Sequence, residues 1–310
     1  MPALNVQSSI EIAASVGQVR KVLVDFRTWP VWSPWLYLEP DTPVTYRGDA
    51  GKSGHGYDWE GDKIGAGGMT LVDSTDERIN CDLQFLKPFK SSASVRFDLQ
   101  SIAPVNTRVT WLMDSSLPFF MFWMKADMAG MIRSDYRRGL LMLKDYIENR
   151  SVSSNSEVMG HATVDELAYA GLQTTAAFTE LSASMEKAYG ELFSHCRENA
   201  SDVQGNPFCI YNKMDMKQDM CTYTVALPVS KNGSVNAPFI STVRPECTAY
   251  KVVHTGAYRH LGNAWSMLMS EAKHHKLKVN KSLPPFERYL NDPDSVDEHS
   301  LITELYLPLK

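Results

Sequence analysis

Pro207-Phe208-Cys209-Ile210-Tyr211 and Pro285-Phe286-Glu287-Arg288-Tyr289 are one five-residue phrase written twice, 78 residues apart. The echo extends outward on both sides. Ala226-Leu227-Pro228-Val229 returns as Tyr306-Leu307-Pro308-Leu309 at an offset of 80, and Ala168-Tyr169 returns as Ala249-Tyr250 at an offset of 81. Between these anchors each copy holds one helical stretch, about 180–199 and 258–276, so each unit reads strand, helix, strand, strand. Two such units joined around a pseudo-twofold axis leave a concave cleft between them, a natural place for a ligand.

The copies differ in charge. Glu287 stands where the first copy has Cys209 or Ile210, and Glu304 where it has Thr224. An unpaired carboxylate inside a sheet is costly. Each glutamate therefore either lines the cleft or turns to solvent and pairs with Arg288 or Lys310. In the cleft they are flanked by Tyr289, Tyr306, Tyr258 and Trp265, an aromatic-walled acidic site that suits a cationic or amphipathic ligand. Glu287 and Tyr289 are two apart on a strand and share one face. If the site is catalytic instead, Glu287 activates water and Tyr289 donates or orients a proton. No nucleophile or metal set accompanies them, which favours binding over catalysis.

The first half has a different rhythm. Asn5–Ile12 alternates as a strand, and Ser15 can cap a short helix carrying Val16, Val19, Val22, Leu23 and Phe26, ended by Trp29-Pro30. Eight glycines between residues 48 and 68, interrupted by Tyr57, Trp59 and Ile64, suit tight antiparallel hairpins. Strand-like runs follow at 69–73, 78–85, 92–100 and 107–113. Over 126–149 the period changes: Met128, Ile132, Tyr136, Leu140, Leu143 and Ile147 put one apolar stripe on a long helix. Just before it, Leu117–Met124 is strongly apolar and reads either as core or as a lid over a cavity beneath the helix. Trp59, Trp111, Phe120 and Tyr136 are the candidate ligand contacts of this half. The serine-rich, polar stretch 151–160 reads as a linker, which sets expected domains at 1–150 and 161–310.

Composition narrows the function. The 310 residues are 44% hydrophobic and 22% charged, as in globular proteins. The net charge of -5 divides as -1 over residues 1–150 (17 Lys+Arg, 18 Asp+Glu) and -4 over 151–310 (14 and 18). Neither half offers the cationic surface that nucleic acid requires, so no direct nucleic-acid partner is expected. Five widely spaced cysteines, with no C-x-x-C, read as reduced thiols. No secretory signal and no apolar run approaching a membrane span is evident, and the expected location is the cytoplasm. Gly48-Asp-Ala-Gly51-Lys52-Ser53 fails as a phosphate loop because position 46 is Tyr46. His274 and His275 read as a solvated helix end. No cofactor and no metal is expected.

Two resemblances follow from these residues. His254-Thr-Gly256-Ala-Tyr258, the helix with Trp265, Pro284-Pro-Phe286-Glu287-Arg-Tyr289-Leu-Asn-Asp292-Pro293 and Leu301-Ile-Thr303-Glu304-Leu-Tyr-Leu307-Pro308 resemble the GyrI-like, or AraC-type, effector-binding domain. The resemblance covers about 160–310. It implies two strand-helix-strand-strand units around a ligand cleft, with the glutamate of the F-E-x-Y strand, Glu287, as its central polar residue. Relatives of this kind sense drugs when fused to a DNA-binding module, and no helix-turn-helix precedes the domain here. Others resemble hydrolases that use a Glu and a Tyr, and some modulate a protein partner. The first half, with Val16-x-x-Val19-x-x-Val22-Leu23-x-Asp25-Phe26-x-x-Trp29-Pro30-x-Trp32-Ser33-Pro34-Trp35 and a terminal helix ending Gly139-Leu140-x-x-Leu143-Lys144, resembles the SRPBCC superfamily of START-like, polyketide cyclase type. That implies a helix-grip fold, a curved antiparallel sheet holding a long helix over a deep apolar cavity. The expected architecture is thus α+β: a helix-grip domain followed by a duplicated β-α-β-β domain. The expected function is binding or sensing of an apolar, amphipathic or cationic small molecule in a bacterial cytoplasm. The alternatives are a hydrolase of electrophilic small molecules and a regulatory interaction module.

Overall fold

A computed structural model describes residues 3–116, 123–199, 201–230 and 237–310. The chain divides into two compact units, Met1–Val152 and Ser153–Lys310.

The first unit runs β1 (Ala3–Ile12), α1 (Val16–Leu23), α2 (Trp29–Trp32), β2 (Val44–Arg47), β3 (Gly56–Gly61), β4 (Gly65–Ser74), β5 (Arg78–Lys87), β6 (Ser91–Ala103), β7 (Asn106–Ser116) and α3 (Lys125–Asn149). Its seven strands form one antiparallel sheet in the order β1-β7-β6-β5-β4-β3-β2. Ser15 caps α1 in a reciprocal capping box with Gln18. The helix ends sooner than expected, at Leu23. Asp25 then turns the chain by accepting from the Arg27 amide, and Trp29-Pro30 opens α2 instead of ending α1, because proline in a first turn forfeits no helical hydrogen bond. The glycine-rich segment supplies the β3–β4 hairpin. Gly65 sits there at φ +71, and a side chain would meet the Lys87 carbonyl 2.6 Å away.

α3 buries the expected stripe over Tyr136, Leu140, Leu143 and Ile147, while Met128 and Ile132 are half-buried. The helix approaches the sheet closely at Gly139, where a Cβ would lie 2.9 Å from both Pro34 and the Trp111 ring. The core beneath is a chain of rings. Trp111 stacks on Tyr136 at 4.1 Å and 12°, and Trp29, Trp32, Trp35 and Phe97 surround Trp111 at 5.0–6.0 Å.

The second unit runs β8 (Ser154–Val164), β9 (Leu167–Ala177), α4 (Leu181–Glu198), β10 (Phe208–Asp215), β11 (Met220–Pro228), β12 (Ile240–Arg244), β13 (Cys247–Gly256), α5 (Leu261–His274), β14 (Phe286–Tyr289) and β15 (Ile302–Pro308). β8 begins inside the stretch 151–160 expected as a linker. Its alternating polar residues suit an edge strand with one face in water, so lack of apolar residues did not mean lack of structure. The strand order β12-β9-β11-β10-β14-β15-β13-β8 reads as a mirrored pair, β9-α4-β10-β11 and β13-α5-β14-β15, meeting where β10 pairs β14. The strand leading into each copy crosses to the other: β8 pairs β13, and β12 pairs β9.

The sheet is curled. Four strand spacings separate β12 from β14, about 19 Å in a flat sheet, yet the Arg244 guanidinium lies 4.7 Å from the Phe286 ring centre. Curling divides the unit into two cores. One lies between the sheet and the helices and contains Cys209, Tyr211, Tyr223, Leu192 and Ala188. The other lies on the inner face and contains Phe208, Ile210, Phe286, Tyr306, Tyr169 and Val164.

Candidate functional site

Strand parity on β14 decides which side chains meet. Phe286 and Arg288 project to the inner face, whereas Glu287 and Tyr289 project towards the helices. Across the repeat axis Glu287 pairs directly with Cys209, its counterpart in the first copy. Two residues further along β10, Tyr211 is the counterpart of Tyr289 at the same offset of 78.

Glu287 is fully buried, and both carboxylate oxygens are occupied by neutral donors. Trp265 of α5 donates its indole N–H to Oε1 at 2.5 Å, and Tyr289 donates its hydroxyl to Oε2 at 2.8 Å. The Tyr211 hydroxyl completes the set. No lysine or arginine among the described residues pairs with this carboxylate. Burial pushes Glu287 above the ordinary carboxylate range, and the hydrogen bonds from Tyr289, Trp265 and Tyr211 only partly offset it. Burial, and then the Glu287 charge, push Tyr211 and Tyr289 well above the ordinary phenol value and Tyr258 up to about 12. These hydroxyls remain protonated donors at neutral pH.

Aromatic rings close the space. Tyr211 meets Trp265 at 5.0 Å and 74°, Tyr258 meets Tyr289 at 5.5 Å, and Tyr189 of α4 meets Tyr289 at 6.2 Å. Tyr258 comes from the 3-10 turn entering α5, and Tyr189 is anchored by donating to the Phe208 carbonyl at 2.7 Å. The site is therefore a buried acid enclosed in a box of electron-rich rings.

Of the expected residues, Glu287, Tyr289, Trp265 and Tyr258 come together. Glu304 and Tyr306 do not join them. Register pairs Arg288 with Glu304 and Phe286 with Tyr306, so both lie on the inner face. There Glu304 accepts from Lys251 at 2.9 Å and from Tyr306 at 2.6 Å, with Arg288 at 3.8 Å. Those donors hold Glu304 below the ordinary carboxylate range against the opposing effect of burial. Tyr211 and Tyr189 were missed. Tyr211 was legible as the repeat mate of Tyr289, whereas Tyr189 lies on a helix face with no counterpart signal.

The first-domain candidates do not assemble into one site. Trp111 and Tyr136 are stacked against each other in the packed core, so no ligand inserts between these two rings. Trp59 is half-buried and touches Tyr57 at 5.5 Å and Phe85 at 6.3 Å. Phe120 and most of the apolar run Leu117–Met124 lie outside the described residues. Among the described residues no cluster of three His, Cys, Asp or Glu side chains could hold a metal, and no helix is long and apolar enough to cross a membrane. All five cysteines are free thiols.

Residues 162–310 match the family model described as GyrI-like small molecule binding domain. Residues 3–148 match that described as polyketide cyclase / dehydrase and lipid transport. No curated protein matches the chain. Among solved structures, the chain is similar to EcmrR in an EcmrR–DNA complex, at 19% identity over 59% of this chain and 66% of that one, with TM-score 0.44. It is also similar to SAV2435 bound to tetraphenylphosphonium, at 15% identity over 50% and 94% with TM-score 0.38. A third similar structure, from Thermobifida fusca, shares 16% identity over 47% and 94% with TM-score 0.38.

Proposed function

Because the chain joins a polyketide cyclase-type domain to a GyrI-like small-molecule-binding domain, we propose that it binds or senses an amphipathic organic cation at Glu287. One observation carries this reading. Glu287 is a fully buried carboxylate with three neutral donors and no cationic partner among the described residues. Holding an acid there is costly unless a charge arrives to pair with it. Trp265, Tyr211, Tyr289 and Tyr258 supply apolar surface and ring faces for the rest of such a ligand. In the first domain, Trp59 and Phe85 are half-buried and remain the apolar contacts for a ligand, since Trp111 and Tyr136 are committed to each other.

A thermal-shift comparison of the intact chain tests the proposal, using tetraphenylphosphonium as a permanently charged lipophilic cation and triphenylphosphine oxide as a neutral analogue. At 100 times its Kd the cation adds about 2.7 kcal/mol of stability, a readily measured shift. Equal shifts from both compounds, or none from either, overturn the cationic reading.

The 2.8 Å contact between Tyr289 and Glu287 supports a second reading, hydrolysis of an electrophilic small molecule by general acid–base chemistry. Under that reading Glu287→Gln and Tyr289→Phe lower turnover by about 10²–10⁴-fold while binding is little changed. Absence of wild-type hydrolysis across electrophilic esters and lactones retires it.

A further inference from the structure

The inner face of the curled sheet holds a second cluster of charges, separated from Glu287 by the thickness of β14. Phe286 and Tyr306 stack there at 4.7 Å and 10°. Arg244 lies 4.7 Å from the Phe286 ring centre, and Arg288 and Lys251 lie 5.4 and 5.8 Å from that of Tyr306. Three cations thus converge on one aromatic pair from β12, β13 and β14. Glu304 is the carboxylate among them, and its contacts go to Lys251, Tyr306 and Arg288. Three positive charges against one negative leave a formal surplus of +2. Glu157, on the same cross-strand row as Arg288 and Glu304, is exposed and accepts from Asn155.

Arg244 is the unusual member. It is 9% exposed, and its hydrogen bonds go to the Asp165 and Pro245 carbonyls, with a long contact to the Cys247 sulfur. Its Nε is buried and has no hydrogen-bond partner among the described residues. Burial depresses its proton affinity, and the Arg288 charge lowers it further. A guanidinium drawn out of water and set near a second guanidinium, with only neutral acceptors of its own, lacks the counter-charge that buried cations ordinarily have. The fork of N–H donors on arginine matches a planar oxyanion, and the ring pair supplies an apolar wall beside it.

We propose that this inner face is a second ligand subsite, for the oxyanion group of a small organic anion, with Arg244 and Arg288 as its donors and Phe286 and Tyr306 as its walls. Alternation along β14 then gives one short strand two opposite specificities. Glu287 and Tyr289 serve a cation on the helix side, and Phe286 and Arg288 serve an anion on the inner side. The carboxylate of an aromatic acid and a phosphate group share the required chemistry. An aromatic acid adds ring contact with Phe286 and Tyr306, so it binds more tightly than inorganic phosphate.

The test is a titration of the intact ¹⁵N-labelled protein, followed at the arginine Nε–Hε resonances, with benzoate, inorganic phosphate and chloride in separate arms. The expected result is saturable movement of the Arg244 resonance with benzoate, weaker with phosphate and absent with chloride at equal ionic strength. Arg288→Gln, which removes a partly exposed donor, should weaken benzoate about tenfold, the worth of a charge-assisted hydrogen bond. Arg244→Gln, followed at the Arg288 Nε–Hε resonance, should abolish saturation; if that variant does not fold, the Arg288→Gln comparison still decides. An Arg244 resonance that stays still with benzoate and phosphate, moves equally with chloride, or responds unchanged in Arg288→Gln overturns the proposal.

Discussion

Replacing Glu287 by Gln keeps the shape of the side chain and removes its charge. The carbonyl oxygen of glutamine can still accept from Trp265, an obligate donor, while the Tyr289 and Tyr211 hydroxyls can rotate to accept from the new amide. The box should therefore survive. A monovalent cation about 4 Å from the carboxylate gains about 4 kcal/mol at an effective dielectric constant of about 20. Desolvation of both ions takes back part of this, leaving about 2 kcal/mol, or about thirtyfold in Kd. Calorimetry at neutral pH with tetraphenylphosphonium and triphenylphosphine oxide should show that loss for the cation and little change for the neutral compound. The variant should also remove a pH dependence. Burial raises the folded-state value of Glu287 above the 4.5 of an ordinary side chain. Its contribution to stability is thus whole below that ordinary value and is lost as pH rises through the folded value. Ligand-free Glu287→Gln should accordingly melt no lower than wild type at neutral pH. Undiminished cation binding by the variant, or equal weakening of cation and neutral compound, refutes the reasoning.

Other expectations concern the scaffold. Trp111→Ala should cost about 3–5 kcal/mol in chemical denaturation of the first domain, because it empties the centre of the ring cluster; a cost below about 1 kcal/mol would mean that the core tolerates a void there. His254 is buried against Ser156 and the Ala257 carbonyl, and burial lowers it to about 4, with His260 adding to the effect. Its folded value lies below the unfolded 6.5, so stability should fall as pH drops from about 6.5 to about 4, by up to about 3 kcal/mol. His254→Gln should flatten that slope, measured by denaturant midpoints across the window. A fragment starting at Ser153, and so keeping β8 whole, should fold alone with dispersed amide resonances, whereas one starting at residue 161 loses most of the edge strand on β13. Equal stability of the two fragments would deny β8 its structural role.

Both architectures were legible because each is written in local periodicity and spacing. The 3.6-residue stripe from Met128 to Ile147 marks α3. The offsets of 78 to 81 mark the duplication, since two copies of one supersecondary unit need the same strand and turn residues at the same places. Glu287, Tyr289, Trp265 and Tyr258 could be gathered into one site from that repeat and from the resemblance it supports. The β8 edge strand escaped notice, because its polar residues satisfy their backbone through β13, far away in the chain. Only the tertiary structure separated Glu304 and Tyr306 from Glu287. The side of the sheet a residue takes depends on cross-strand register, and the pairing of Phe286 with Tyr306 and of Arg288 with Glu304 comes from strands that the sequence leaves ten or more residues apart. The curl that carries Arg244 over Phe286 is likewise set by long-range pairing of β12 with β9, which no local pattern encodes. How closely α3 approaches the sheet was likewise decided by tertiary packing, at Gly139, where a Cβ would lie 2.9 Å from both Pro34 and the Trp111 ring. Sequence periodicity decides which faces turn inward; how far apart those faces stand is settled by packing.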